Sequence, residues 1–411
     1  MEKERSNLII IGLALNGNTI MMDIDQPILK LKNHPFFIGP LDADDKPNIP
    51  KSLDFNLMVN SKTGIIVQLI TPDILCALEN AYNFGSIAST PLGESELATG
   101  RMNEFISHFL NLFIGDIKGK AVLEIGCGNG VLLNEIKKLG AKVTGLEIGP
   151  QSKEVGIKYG IEIIDKPLDQ SLFNKKYDCI FSYGCIEHIP DLIKLFDDIK
   201  SILKENGKII HSVPNSEVLF EQESFSHLIH EHVNYFTNEN IKYFLQLQAF
   251  NAIKAVNYHA GNTAIIYSGT YNSSNPKINP SNDFLRSQVQ KLQKWSDKLM
   301  QKKKIIVSNL LKMKEKKLKM GFYAGGYEFI SCLNEYPVRF FDGDKYKHNK
   351  SWLVGLKPIE SPVNIKNNPV DVIVIFEAHH YTAIKKYLQK ELEIDEKINI
   401  YSIKDLECLF R

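Results

Sequence analysis

The stretch Glu124-Ile125-Gly126-Cys127-Gly128-Asn129-Gly130 decides the reading of this chain. It closes an apolar run over residues 121–125 and opens an amphipathic one over 131–139, so it is predicted to be a strand, a turn and a helix in succession. Glycines there let the backbone fold tightly and approach a ligand, while free amides at the helix start favour electron-rich atoms. A second predicted strand, 142–146, runs straight into Glu147, 21 residues after Gly126, where a carboxylate accepts hydrogen bonds from both hydroxyls of a ribose. The acidic Glu124 and the ExGxGxG spacing disfavour a dinucleotide, because a diphosphate would be repelled there.

Outward from this turn the alternation continues. Strand-like runs at 179–182 and 208–213 are followed by helical ones at 192–203 and 238–247, and 151–159 follows the second strand. This predicts an α/β fold with a parallel sheet covered by helices on both faces. Upstream, residues 81–117 read as helical, with Phe105, Phe109, Leu112 and Phe113 on one face. Residues 1–80 read as an irregular lobe, with short β-like runs at 8–13 and 65–70 around a Pro- and Asp-rich stretch from Pro35 to Pro50. Downstream, Asn272-Ser273-Ser274-Asn275-Pro276 to Pro280 reads as a linker, and 282–303 as a long polar helix whose Lys302, Lys303 and Lys304 lie on a solvated face. Further runs predict strands at 321–324, 338–341 and 370–376 and helices at 328–333 and 381–388, a second and smaller α/β unit. The expected domains are therefore 1–80, 81–271 and 272–411, with no internal repeat.

The composition is that of a folded soluble protein: 411 residues, 44% hydrophobic, with 49 Lys+Arg against 48 Asp+Glu. A net charge of +1 supplies no general attraction to nucleic acid or to a membrane surface. Cys76, Cys127, Cys179, Cys185, Cys332 and Cys408 form no CxxC pair and fit a reducing cytoplasm. Lys3 and Arg5 before an apolar run to Leu15 imitate a signal peptide, but Asn16-Gly17-Asn18 offers no small-x-small cleavage site, and a strand is the expected reading. No run is long enough for a membrane span. Nothing in the pattern fixes an oligomeric state.

The glycine turn resembles that of the class I S-adenosylmethionine-dependent methyltransferases. The runs Asp178 to Pro190 and Leu203 to Lys208 resemble the fourth- and fifth-strand motifs of that class, and the likeness spans residues 100–268. The resemblance implies a central Rossmann-like methyltransferase sheet with S-adenosylmethionine as cofactor. By it, Glu124, Gly126, Cys127, Gly128 and Glu147 line the cofactor, Ile148 flanks the adenine, and Leu168 and Asp169 sit by the exocyclic amine. Ser182, Tyr183 and Gly184 then face the methionine moiety, and Tyr82 resembles a cofactor-side tyrosine, with a core aromatic as the alternative.

Residues 214–237 form an insertion holding His227, His230, Glu231 and His232. A neutral imidazole can take a proton from a substrate carbon or hydroxyl, and a neighbouring carboxylate can fix its tautomer or bind a sugar hydroxyl. A structural polar loop is a second reading. A metal on His230 and His232 is a third, although no HExxH is present.

With Glu187-His188 and His230-Glu231-His232-Val233-Asn234-Tyr235-Phe236, the whole chain resembles the sugar C-methyltransferases of deoxysugar biosynthesis. The resemblance implies a nucleotide-linked 4-keto-6-deoxyhexose substrate methylated at C-3, with His232 as general base, His188 steadying the enolate, Glu231 binding the sugar and His230 lining the substrate site. It also implies that the C-terminal unit meets the nucleotide, through candidates Tyr323, Asp342 and Lys345, with packing or a surface role as the alternative for each; Gly325-Gly326 there is a poor nucleotide fingerprint, with Asp342 only 17 residues beyond Gly325.

Two departures stand out. The family's zinc-binding cysteines are replaced by Leu13-Ala14-Leu15-Asn16 and Asn60-Ser61-Lys62-Thr63, so no metal is expected and the lobe must be held by apolar packing through 8–13 and 65–70. The tyrosine before the HEH motif is Ile229 here. An oxygen acceptor, and a cofactor-binding scaffold without catalysis, are the competing expectations.

Overall fold

The computed structural model describes residues 10–15, 18–23, 26–85, 91–150, 152–275, 278–377 and 380–407. Lys3, Arg5, Leu8, Asn16, Gly17, Gln151, Pro276 and Cys408, named above, lie outside them. The chain opens with an antiparallel hairpin, β1 (Ile10–Leu15) and β2 (Asn18–Asp23). β3 (Leu29–Pro35), β4 (Ser52–Val59) and β5 (Ile66–Gln68) then form an antiparallel sheet, more regular than the expected lobe. Leu29 and Leu31, alternating with Lys30 and Lys32, give one buried face opposite Phe55 and Leu57. That face and Ile66 pack into one apolar cluster, and Ile65 is buried in the core of the central sheet; the side chains of 8–13 lie outside the described residues.

The helical stretch begins earlier than predicted. α1 (Pro72–Phe84) is capped by Thr71, whose hydroxyl accepts from the Ile74 amide, and α2 (Glu96–Phe113) is capped likewise by Ser95. The central sheet follows: β6 (Ala121–Ile125), α3 (Val131–Lys138), β7 (Lys142–Leu146), α4 (Ser152–Tyr159), β8 (Glu162–Ile164), β9 (Tyr177–Tyr183), α5 (Leu192–Ile202) and β10 (Leu203–Pro214). After α6 (Ser216–Glu221), β11 (Asn234–Tyr235) and α7 (Asn238–Leu247), a hairpin of β12 (Phe250–Tyr258) and β13 (Ala264–Tyr271) completes it.

The strand order is β12-β13-β10-β9-β6-β7-β8. β8 to β10 run parallel, but β13 is antiparallel to β10 and β12 to β13, so the sheet is mixed rather than wholly parallel. The short turn at 259–263 explains this, since only antiparallel neighbours can be joined by so tight a connection. The order reverses between β6 and β9, whose C-terminal ends bound the crevice where open α/β sheets bind ligands.

α8 (Asn282–Glu315) runs 34 residues, about three turns further than the helix predicted to Lys303. It is not a solvated helix. Leu285, Leu292, Trp295, Leu299, Ile306, Leu310 and Met313 are buried between the β3–β5 sheet and the C-terminal unit in one continuous apolar cluster. Even Lys302 is only 3% exposed, with Glu223 at 3.5 Å. The C-terminal unit holds β14 (Met320–Tyr323), β15 (Val338–Phe341), β16 (Ile359–Glu360), α9 (Asn364–Asn367), β17 (Val372–Ile375), α10 (Tyr381–Lys386) and β18 (Asn399–Ser402). Its five strands are all parallel, in the order β16-β15-β14-β17-β18. The predicted helix at 328–333 is a 3-10 turn over Tyr327–Leu333.

One pairing joins the lobe to the centre. β11, from the insertion after β10, adds to the edge of β5, with Asn234 opposite Val67 and Tyr235 opposite Ile66.

Candidate active site

The turn after β6 carries Gly126 and Gly128 at φ +70° and +52°. Their roles differ. A Cβ on Gly126 would lie 2.5 Å from Cys185 Sγ, so that glycine lets the two strand ends approach. A Cβ on Gly128 would meet nothing within 4 Å, so that glycine leaves open space at the crevice. The Gly128 and Gly149 amides donate to the two Glu147 oxygens at 2.7 and 2.6 Å. This fixes the carboxylate and leaves further lone pairs for ribose hydroxyls. Glu124 is 2% exposed, its Oε2 has no hydrogen-bond partner, and burial together with Glu147 holds its pKa well above the usual carboxylate range. An open glycine turn, an oriented carboxylate at the next strand end and an unpartnered buried acid fit the cofactor that the resemblance implies.

The other predicted cofactor residues divide. Ile148 is half exposed beside Glu147. Cys127 offers only its backbone, because its buried thiol packs toward Gly145. Leu168 packs on the central core, and exposed Asp169 caps the next turn by accepting from the Ser171 amide at 2.8 Å. Ser182 departs from expectation: it is fully buried and its hydroxyl is bonded to His211 Nδ1 at 2.8 Å, because alternate residues of β9 face opposite sides of the sheet. Tyr183 faces the α2 side. Its hydroxyl lies 3.1 Å from His259 Nε2, and His259 Nδ1 lies 2.7 Å from Glu104 Oε2. His259 holds φ +64° to make both contacts.

The insertion brings His232 to the turn after β9. The His232 and His188 rings are 5.1 Å apart, edge to face, and His188 Nε2 is 3.9 Å from Glu187 Oε1. Burial and the neighbouring His232 lower the His188 pKa to about 3, burial alone lowers that of His232 to about 4, and burial raises that of Glu187 to about 8. At neutral pH the two imidazoles are therefore uncharged. His232 Nδ1 is 2.9 Å from the His227 carbonyl, which must accept, so Nδ1 carries the proton and Nε2 keeps its lone pair. Tyr82 belongs to this group: its hydroxyl is buried without a partner, and burial, Glu231, Cys185 and Glu187 push its pKa well above the usual phenol value. Glu231 is buried beside it.

His230 is a correction. It is fully buried away from His232, stacked on Phe36 at 4.9 Å, edge-on to Phe55 at 5.5 Å and 5.8 Å from His34. Neighbours two apart in the insertion diverge, so His230 lines no substrate site and a metal on His230 and His232 is overturned. Among the described residues the group whose donor atoms converge is Glu187, His188 and His232, all within 4.8 Å of one another.

Sequence reasoning gave no role to Glu187, Gln68, Glu104 or His259. Glu187 was signalled by its place beside His188. Gln68, whose Nε2 donates to the His230 and His232 carbonyls at 2.8 and 3.1 Å, lies over 160 residues away and carries no local signal.

In the C-terminal unit, Tyr323 and Asp342 end adjacent strands and are buried, whereas Lys345 is exposed. Asp342 pairs with Lys347 at 2.9 Å, not with Lys345. Among the described residues Cys76, Cys127, Cys179, Cys185 and Cys332 form no disulfide, and no helix is long and apolar enough to cross a membrane.

A family model described as a methyltransferase domain matches residues 98–255. The chain is 30% identical over 233 residues to malonyl-[acyl-carrier protein] O-methyltransferase 1 of Ilyobacter polytropus, covering 51% of this chain and 85% of that one. It is 26% identical over 125 residues to a ubiquinone biosynthesis O-methyltransferase of Shewanella halifaxensis, covering 28% of this chain and 53% of the relative, so it spans about half the length of that enzyme. A putative S-adenosylmethionine dependent methyltransferase structure from Listeria monocytogenes overlaps at TM-score 0.35 and 15% identity, covering 43% of this chain and all of that one, too remote a likeness to carry weight.

Proposed function

Because this chain belongs to the class I S-adenosylmethionine-dependent methyltransferases, enzymes that transfer a methyl group, we propose that it methylates a nucleotide-linked ketosugar at carbon through a base-generated enolate, in the cytoplasm. The observation that carries the reading is His232, whose Nδ1–H is held on the His227 carbonyl while its Nε2 lone pair is left beside Glu187 and His188. The cofactor supplies a methyl group on a sulfonium that leaves as a neutral thioether. On the protein side, His232 Nε2 accepts the proton from the carbon next to the ketone, and a neutral His188 donates a hydrogen bond to the enolate oxygen. With the cofactor bound, the enolate carbon would accept that methyl group, and His232 would release its proton to solvent. Glu231 orients a sugar hydroxyl. Tyr323, Asp342 and Lys345 would meet the nucleotide, with Lys347 holding the Asp342 carboxylate in place.

A second reading has an oxygen acceptor, because the relatives named above are O-methyltransferases. His232 would then deprotonate a hydroxyl, and Ile229 in place of a tyrosine leaves the acceptor pocket free to differ. Product NMR with methyl-13C S-adenosylmethionine and a panel of nucleotide-linked 4-keto-6-deoxysugars separates the two. The expected outcome is a label on a quaternary carbon that falls at least about 100-fold in His232→Ala. A label on oxygen replaces the enolate, and no label from any member of the panel sinks the ketosugar substrate.

A further inference from the structure

We propose that Glu187, His188 and His232 form a site for one divalent transition-metal cation, and that this cation competes with the acceptor's proton for the Nε2 lone pair of His232; the competition rests on reading His232 as the base. Two imidazoles and a carboxylate offer their donor atoms within 4.8 Å of one another. Two further features point to a ligand. Glu187 is 2% exposed and its Oε2 has no hydrogen-bond partner. Orphaned buried polar atoms of this kind are rare in folded proteins unless something unseen satisfies them. The His232 Nδ1–H on the His227 carbonyl is the outer hydrogen bond that fixes the tautomer and direction of a ligating imidazole.

The donor set selects the class of ion. Imidazole favours Zn, Co, Ni and Cu over the hard cations Mg and Ca, and three protein ligands leave a fourth position open. Bonds of about 2.1 Å place tetrahedral donors roughly 3.4 Å apart, so the trio must close by up to about 1.4 Å at its widest. His188 Nε2 and Glu187 Oε1, already 3.9 Å apart, need little of that movement. The site joins the β9 turn to the insertion, so a bound cation would also tie those two segments together.

The test uses the full chain, stripped with a chelator and titrated with Co2+ without any acceptor. One equivalent is expected to give the visible bands of a four- or five-coordinate nitrogen and oxygen site. Affinity falls at least about tenfold in Glu187→Gln and in His232→Gln but not in His108→Asn. Circular dichroism and retained S-adenosylhomocysteine binding check that each variant is folded. In the second arm, diethyl pyrocarbonate acylates His232, and Zn2+ is expected to slow that modification at least about tenfold, read by mass spectrometry. Binding that is absent, or unchanged in Glu187→Gln, overturns the site; modification of His232 at an equal rate with Zn2+ bound overturns the competition. Both arms are read with no sugar present, so failure of the ketosugar reading leaves them intact.

Discussion

His227 lies between Phe220 and Tyr235, with ring centroids at 5.0 and 5.8 Å. Burial, with a smaller contribution from His232, lowers its pKa from 6.5 to about 3. The folded state thus binds fewer protons than the unfolded one between those values. The stabilisation is complete above pH 6.5 and is lost as pH falls toward 3. His34, His188, His211, His230 and His232 are displaced in the same direction. Glu187 and Glu328 act oppositely: raised to about 8 and 7, they contribute most below pH 4.5 and lose that contribution as pH rises through those values. His227→Phe removes one histidine's share. Urea unfolding of this variant should show a loss of stability between pH 7.5 and 5.5 about 1.4 kcal/mol smaller than in the parent; an equal loss would place the titration elsewhere.

At the scale of elements, α8 is the piece with the most to lose. Trp295 stacks on Phe220 at 4.8 Å, and its indole N–H donates to Glu221 at 2.9 Å. Trp295→Ala should cost about 3–5 kcal/mol, with the unfolding midpoint measured in urea. The sequence concealed this helix's burial because its lysines read as a solvated face, although a long stem such as that of Lys302 packs on apolar surface while its ammonium finds Glu223. The glycine turn was legible because every part of it is local: strand end, turn, helix start and the next strand's carboxylate. The direction of β13 was not, since the register that pairs it with β10 depends on a turn of a few residues. In the histidine motif the side chains were legible as a group but not their separation, because His230 is drawn into the lobe by Phe36 and Phe55, contacts far away in sequence.

Across the whole molecule, the first and last parts of the chain share one apolar cluster through α8. A chain ending at residue 271 would leave Leu29, Leu31, Phe55 and Leu57 without α8 to cover them. Burial of each such side chain is worth about 1.5–3 kcal/mol, so this shortened chain should bind a hydrophobic dye and lose near-ultraviolet circular dichroism. Retention of the full-length signal from the lobe would show that α8 is dispensable to it.

The pairing of β11 with β5 has a consequence for how such enzymes can be recombined. His232 is held from the lobe side by Gln68 as well as from its own loop. Exchanging residues 1–80 alone between two chains of this architecture would separate the histidine from its mount. The transferable cassette is discontinuous: the lobe together with residues 214–237, two stretches of gene that have to travel as one.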